Sequence, residues 1–223
     1  MSDLYPYFDV GMKFPIVQLG GFEYSDGGPV YQNNLHVKRD LEWIVIDHND
    51  INHSILLLSK EIVDTTGFAD CPIFGSGYKS SWDDSYIRKW LNEDFINEAF
   101  SPEERSIISA TQISPEKRGQ KKTLDRLFLL SESEYLKYFP NKDGYVSYCY
   151  VDDFSGVVNI SKEPWFWWLR SNGEYDSEIR VVDKNGMVDS FDSNSDETGV
   201  RPAMWIKHEE VYQALKTFWR QLV

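Results

Sequence analysis

Cysteine is scarce in this sequence. Its 223 residues include two cysteines, Cys71 and Cys149. Two are too few for the disulfide framework that stabilises small secreted domains. No spacing argues for a bridge between them, so we expect two buried thiols, with a single disulfide as the alternative.

Long apolar runs and a secretory leader are also missing. No apolar segment approaches the length of a membrane-spanning helix. Residues 1–6 have neither the basic start nor the apolar run of a signal peptide. The sequence therefore predicts a soluble, cytoplasmic protein with no membrane partner.

Basic residues are outnumbered by acidic ones. The chain has 23 Lys and Arg against 36 Asp and Glu, which gives a net charge of −13. This balance argues against non-specific binding to nucleic acids or anionic membranes, because both carry negative charge. It permits cationic ligands, basic partner surfaces or metal ions, although it also favours solubility. The basic stretch at residues 116–122 is interpreted as a solvated loop rather than a partner-docking patch.

Recognisable catalytic motifs are absent as well. The sequence has no Gly-x-Ser-x-Gly elbow, Walker loop, His-Glu-x-x-His helix or dinucleotide fingerprint. His48 and His53 flank a turn that also carries Asp47 and Asp50, but the pattern does not indicate four ligands in a closed geometry. We therefore expect no metal centre there, and a binding domain is favoured over an enzyme.

Aromatic residues, in contrast, are dense in two segments. Residues 165–171 and 199–205 together contain four of the eight tryptophans. Rings at this density cannot all face water, so both segments are predicted to be core strands. The arginines beside these rings must then be paired or line a cleft.

The hydrophobic pattern predicts strands along much of the chain. A Gly-Gly turn is expected to end the first strand, and Asp183-Lys184-Asn185-Gly186 is expected to form a hairpin turn. The predicted strands cover residues 14–19, 41–47, 55–58, 127–130, 145–150, 165–170, 179–182, 187–191 and 200–206.

Three short helices are predicted between these strands. Apolar residues at three- and four-residue intervals indicate one helix over residues 87–95. Ser101 and Ser131 each precede a glutamate by three residues, which is the pattern of a capping box at a helix start.

A fourth helix is predicted at the end of the chain, over residues 209–222. We interpret residues 1–206 as a single domain and 207–223 as an amphipathic helix that packs on it. Docking of this helix to a partner or to a second copy is the alternative. Its apolar stripe consists of Val211, Leu215, Phe218 and Leu222.

Ordered motifs along the chain match the pattern of a known family. The chain resembles a bacterial domain family of unknown function, whose closing strands are similar to the C-type-lectin-like and formylglycine-generating-enzyme-like folds. The resemblance covers roughly residues 10–206, and Asn172 and Met204 depart from the usual proline and leucine without disturbing it. The motifs are Trp82-x-x-Ser85-x-Ile87-Arg88-x-Trp90-Leu91-Asn92, Trp168-Leu169-Arg170-Ser171 and Gly199-Val200-Arg201-Pro202-Ala203.

The resemblance implies an α+β fold of the C-type-lectin-like kind, with a twisted antiparallel sheet and flanking short helices. It implies no agreed activity, because related folds bind sugars, proteins and metals. A formylglycine-type oxidase would need a functional cysteine pair near the closing strands, and Cys71 and Cys149 do not lie there.

Residues 192–196 are considered as a calcium loop. Asp192, Asn194 and Asp196 alternate as oxygen ligands do, but Glu197 stands where an EF-hand needs glycine, and Ala203 where it needs glutamate. A solvated loop between strands is therefore favoured over an irregular calcium site, and no cofactor is expected.

Six residues are candidates for a ligand-binding cleft, because the motifs bring tryptophan and arginine together. The favoured alternative is an internal network of arginines and carboxylates that holds a helix to the sheet. The candidates are Trp82, Tyr86, Arg88, Trp168, Arg170 and Arg201.

Three functions are open at this point. The favoured one is a non-enzymatic, lectin-like domain that binds an unknown ligand or a protein. The first alternative is an enzyme of the formylglycine or hydrolase type on the same fold. The second is a structural module that docks through its C-terminal helix, which could also form a homodimer.

Overall fold

The computed structural model shows a chain of both strands and helices, an α+β protein. The structure describes residues 16–24, 37–69, 80–117, 119–140, 147, 150–152, 158–160 and 164–221. Cys71, Cys149 and most of the predicted strand at 145–150 lie outside these ranges, so the predictions made for them are not addressed.

The strands are β1 (Ile16–Tyr24), β2 (Val37–Asn49), β3 (Ser54–Ser59), β4 (Asp64–Thr65), β5 (Ile108–Ser109), β6 (Thr111–Ile113), β7 (Thr123–Asp125), β8 (Tyr150–Asp152), β9 (Val158–Ile160), β10 (Trp167–Asn172), β11 (Glu178–Val182), β12 (Val188–Asp192), β13 (Gly199–Val200) and β14 (Ala203–Lys207). The helices are α1 (Tyr86–Trp90), α2 (Ile96–Ala99), α3 (Pro102–Ile107), α4 (Glu132–Tyr138) and α5 (Glu209–Gln221), with a 3₁₀ turn at Trp82–Asp84 and a π-helical turn at Leu91–Phe95.

The first large sheet has the strand order β1-β2-β3-β14-β5 and is antiparallel throughout. Every residue of β3 is buried, as the continuous apolar run at 55–58 predicts for a strand covered on both faces. Trp43 of β2 is fully buried, and its indole Nε1 donates to the carbonyl oxygen of Leu19 at 2.8 Å. This sheet and its covering elements form much of the core.

The second large sheet has the order β12-β11-β10-β13-β4. Its pairs are antiparallel except for β10 and β13, which run parallel. Tight packing at this parallel pair explains why residue 199 is glycine, because a Cβ there would lie 2.6 Å from Cδ1 of Ile62. The described strands form two large sheets, whereas the resemblance implies one twisted antiparallel sheet.

The two sheets are joined by the segment 199–207, of which the sequence predicts residues 200–206 as one strand. Arg201 and Pro202 interrupt it, so that β13 belongs to the second sheet and β14 to the first. Proline has no N–H to donate to a ladder, and its position at the crossing ends the pairing of β13. The prediction of a continuous strand was wrong for this reason.

The Gly20-Gly21 pair does not end the first strand. Strand β1 continues through it to Tyr24, and the pairing register with β2 shifts between Gln18 and Gly21. Gly20 has a φ of +77°, which glycine adopts without steric cost, so the pair forms a bulge inside the strand. The predicted turn was wrong.

The predicted helix starts are confirmed in detail. Ser101 accepts from the backbone N–H of Glu104, and the Glu104 carboxylate accepts in turn from the N–H of Ser101. Ser131 and Glu134 form the same reciprocal pair at the start of α4. Both are capping boxes, which satisfy backbone donors that the first turn of a helix leaves unpaired.

Residues 127–130 are buried, but they do not form the predicted strand. They make an isolated bridge, in which Phe128 pairs with Ala203. The backbone carbonyl of Leu130 also accepts from the N–H of Arg170 at 2.9 Å. The segment therefore packs in the core without a continuous ladder.

The C-terminal helix α5 packs against the rest of the chain. Val211, Tyr212 and Leu215 are buried, so the described part of its apolar stripe is covered. The side chains of Phe218 and Leu222, which complete the predicted stripe, lie outside the described part of the chain. The hydroxyl of Tyr212 also donates to Asp50 at 2.6 Å, which ties the helix to the turn between β2 and β3.

Candidate functional site

Asp125 accepts hydrogen bonds from two of the predicted site residues. Its side chain is fully buried at the end of β7. One carboxylate oxygen accepts from Nε of Arg88 at 2.8 Å, and the other accepts from Nε1 of Trp82 at 2.9 Å. The hydroxyl of Thr123 donates to the second oxygen as well. These bonds anchor the 3₁₀ turn and α1 to the hairpin of β6 and β7.

Asn92 completes the anchoring of the same helical region. Its amide donates to the carbonyl oxygens of Arg88 and Leu127, at 3.0 and 2.8 Å. Its side-chain oxygen accepts from the N–H groups of Arg126 and Leu127. The motif that runs from Trp82 to Asn92 therefore supplies the contacts that fix this helix on the domain.

Arg170 lies on β10 and is 8% exposed. Its Nη1 and Nη2 donate to the two carboxylate oxygens of Glu134, at 2.5 and 2.9 Å, and Nη1 also reaches the carbonyl oxygen of Leu129. Burial alone would raise the pKa of Glu134, but the bonds and charge of Arg170 and the bonds from Ser131 hold that pKa below its ordinary value. The pair joins β10 to the first turn of α4.

Arg201 is buried where the two large sheets meet. Its Nε donates to the carbonyl oxygen of Ser59 at 2.7 Å, and its guanidinium lies 5.0 Å from the ring centre of Trp167. Burial lowers the pKa of Arg201 to about 10, which still leaves the guanidinium charged at neutral pH. This residue connects β3 of the first sheet with β10 of the second.

The remaining two predicted site residues lie in different surroundings. Trp168 is fully buried and donates from Nε1 to the carbonyl oxygen of Thr66 at 2.9 Å, so its ring offers no face to a ligand. Tyr86 is 37% exposed at the start of α1. The structure therefore does not bring all six predicted residues into one cleft.

Two of the six, Trp82 and Arg170, do line one pocket, here named the Arg170 pocket. It lies between the 3₁₀ turn, the loop between β6 and β7, and β10. About 10 Å³ is accessible to the centre of a water molecule, which is space for a single water. The polar residues of its lining are Asp83, Ser114, Glu116, Gln120, Lys121 and Arg170.

Two residues of this lining each have a buried polar atom without a hydrogen-bond partner in the described part of the chain: Oδ1 of Asp83 and Nε of Arg170. The other carboxylate oxygen of Asp83 accepts from the backbone N–H of Lys121 at 3.0 Å. Buried polar groups are nearly always hydrogen-bonded in proteins. An acceptor and a donor without partners, on two residues of one small pocket, make it the candidate site.

The basic loop forms the outer wall of this pocket. Its described residues are largely exposed, as the sequence predicts, yet several contact β10 and the residue that follows it. Gln120 donates to the side-chain oxygen of Asn172 at 2.6 Å, Glu116 accepts from the hydroxyl of Ser171 at 2.9 Å, and Lys117 donates to the carbonyl oxygen of Gly173.

The sequence does not predict four polar residues of this pocket as site residues: Asp83, Glu116, Gln120 and Lys121. Asp83 lies next to Trp82, but nothing in its spacing distinguishes it from the exposed Asp84. The role proposed for Asp83 depends on Arg170 of β10, which is distant in the sequence. Only the folded chain shows the two unpaired atoms.

The acidic loop at 192–196 has internal hydrogen bonds of its own. The side chain of Asp192 accepts from the N–H of Asn194, and its carbonyl oxygen accepts from the N–H of Ser195. Among the described residues, no group of three or more His, Cys, Asp or Glu side chains could hold a metal ion. The prediction of no cofactor, with an irregular calcium site as the less favoured alternative, therefore stays untested.

Comparisons with known proteins identify the family of the chain. Residues 52–208 match the profile of a domain of unknown function, DUF6273. No curated protein and no solved structure gave a match. In the described part of the chain, no helix has the length and apolar character needed to cross a membrane. The match covers most of the 223 residues, and the chain belongs to the DUF6273 family of domains of unknown function.

Proposed function

We propose that this protein is a non-enzymatic binding domain that takes a hydroxyl group of its ligand into the Arg170 pocket. The observation that carries the proposal is the pair of unpaired buried atoms, Oδ1 of Asp83 and Nε of Arg170. The ligand class is a neutral hydroxyl-bearing molecule, such as a sugar or polyol.

The chemistry of these two atoms selects the group that fits them. Oδ1 of Asp83 only accepts, and the N–H at Nε of Arg170 only donates. A hydroxyl does both at once, whereas an ammonium cannot accept and a carboxylate cannot donate. Water has the same capacity, so a water fills the pocket of the free protein and the ligand hydroxyl replaces it.

The size of the pocket limits what enters it. Space for a single water admits one hydroxyl but not a sugar ring. The rest of the ligand then lies outside, near exposed Lys121. Affinity from one hydroxyl is modest, since displacing a well-ordered water gains little unless its bonds are reproduced.

The arginines and Tyr138 give the enzyme alternative no support. Arg88, Arg170 and Arg201 bond to a carboxylate or a backbone carbonyl inside the fold. Tyr138 is no activated base, because burial and its bond to Asp47 raise its pKa to about 12. The finer comparison with lectin-like folds is part of our proposal and rests on the closing motifs alone.

A second candidate, a structural module docked through α5, is less well supported. An exposed apolar stripe would have favoured it, but Val211, Tyr212 and Leu215 are buried against the domain. Self-association through the rest of that helix stays a proposal, which the oligomeric state in solution tests.

The test is a titration with methyl glycosides and glycerol, followed by NMR at the backbone amide of Lys121. This amide donates to Asp83, so it reports on the pocket directly. We expect its signal to shift with at least one of these probes. In Asp83→Asn, the amide oxygen keeps the bond from Lys121 and the NH₂ group then faces the pocket. Residue 83 then presents a donor to the pocket instead of an acceptor, and we expect the affinity for the probe to fall about tenfold or more.

Asp84→Asn is the matched control, because Asp84 is exposed and forms only a long ion pair with Lys89 at 3.7 Å. It removes the same charge and should bind as the wild type does. No shift at Lys121 with any probe would overturn the proposal. An equal loss in both variants would show a general charge effect, and would overturn it too.

A further inference from the structure

Lys184 lies over two aromatic rings on the side of the second sheet. Its Nζ is 4.5 Å from the ring centre of Trp165 and 5.3 Å from that of Phe166. Both distances are within the range in which an ammonium is attracted to the face of a ring. The two rings therefore form a cation site that the protein occupies with its own lysine.

The rings are held in place by contacts that do not involve the lysine. Nε1 of Trp165 donates to the carbonyl oxygen of Glu197 at 2.7 Å. The ring of Phe166 packs against Phe191 of β12, with centres 4.9 Å apart. All three rings are partly exposed. Trp165, Phe166 and Phe191 are named the aromatic face.

The charges around the aromatic face favour a cation. Residues 172–197 contain eight acidic and two basic residues, one of which is Lys184 itself. Among the described residues, Lys184 forms no ion pair with a carboxylate, and its ammonium lies over the two rings. The backbone of its turn is held separately, by bonds from Asn185 and Met187 to Asp183. Lys184 can therefore leave the rings without unfolding the turn.

We propose that the aromatic face binds a lysine or arginine side chain from a basic segment of a partner protein, and that this side chain replaces Lys184. The acidic surroundings attract the basic segment, and its cationic side chain binds against the rings. Lys184 acts as an internal competitor that lowers the affinity. The site is separate from the Arg170 pocket and does not depend on the function proposed for it.

The probe is a short peptide of alternating lysine and serine, with binding measured by isothermal titration calorimetry at low salt. Lys184→Ala removes the ammonium that lies over the rings. We expect this variant to bind the peptide about two- to fivefold more tightly than a control variant of equal charge. That control is Lys89→Ala, which also removes one exposed lysine, but from α1. The same peptide with acetylated lysines should not bind.

The aromatic rings are tested by Trp165→Leu and Trp165→Phe. Each is combined with Lys184→Ala. Trp165→Leu should abolish the gain in peptide affinity that Lys184→Ala gives, and Trp165→Phe should keep that gain, because a ring face is retained. Circular dichroism shows whether each variant is folded. If the leucine variant is unfolded, the peptide affinities of Lys184→Ala and Lys89→Ala decide the question. Equal gains in those two variants, or no binding of the lysine peptide, would contradict the proposal.

Discussion

Arg170 and Glu134 form a two-pronged ion pair that joins β10 to the first turn of α4, with N–O distances of 2.5 and 2.9 Å. Glu134 also completes the capping box with Ser131. Arg170 thus has a structural partner for both terminal nitrogens. Among the described residues its Nε has no partner, and we propose that this atom binds the group in the pocket.

Glu134→Ala should destabilise the protein by about 3 kcal/mol, because it leaves the buried guanidinium of Arg170 without its carboxylate. Chemical denaturation measures the free energy of unfolding. Glu132→Ala is the control, since its pair with Arg180 is at 3.2 Å and partly exposed, and should cost less than about 1 kcal/mol. Equal costs for the two variants would contradict the role given to Glu134.

The same pair predicts a dependence of stability on pH. The pKa of Glu134 is below its ordinary value of 4.5 in the folded protein, so the carboxylate stabilises the fold above that value. This stability is lost as the pH falls through the folded-state pKa. The difference in unfolding free energy between wild type and Glu134→Gln should therefore shrink from neutral to acidic pH. A constant difference would exclude this account.

Asn92→Ala should cost about 2–4 kcal/mol, since it leaves several backbone groups around Leu127 without their bonds. Asn92→Asp keeps the accepting oxygen but removes the two donated bonds, so it should also be unstable. Thermal and chemical unfolding provide the measurement. Asn97→Ala, on the exposed side of α2, should change stability by less than about 0.5 kcal/mol. The account fails if Asn92→Ala is equally mild.

Gly199→Ala should destabilise the protein by about 1–3 kcal/mol, because the new methyl group would overlap the side chain of Ile62. Shortening Ile62 to alanine makes room for it. A double-mutant cycle should therefore show coupling, with Gly199→Ala costing less in the Ile62→Ala background. Strictly additive costs would mean that the overlap is not the cause.

Leu215→Ala tests the packing of α5. The side chain is fully buried, so its truncation should cost about 2–5 kcal/mol, whereas Gln213→Ala on the exposed face should be nearly neutral. A negligible cost for Leu215→Ala in the isolated protein would indicate that the helix is not packed on the domain, and would revive docking to a partner.

Features set by near neighbours in the chain could be predicted from the sequence. The capping boxes at Ser101 and Ser131 need residues only three positions apart, and both are confirmed. The strands at 41–47 and 55–58 follow from their apolar content and are also present. The favoured reading of the arginines as internal partners agrees with the bonds of Arg88 and Arg170.

Features set by distant contacts could not be predicted in this way. The sequence predicts a turn at Gly20 and Gly21, and the bulge is visible only in the pairing of β1 with β2. The split at Pro202 depends on which strands neighbour each half of the segment. Asp83 and Arg170 come to line one pocket only after folding, because the two residues lie on separate elements.

The most direct test of the central claim is a crystal structure at a resolution that shows ordered water, first of the free protein and then with the glycoside that shifts Lys121. The account predicts an oxygen atom within hydrogen-bond distance of both Oδ1 of Asp83 and Nε of Arg170, a water in the free protein and a ligand hydroxyl in the complex. An empty pocket, or protein groups that pair with these two atoms, would contradict it.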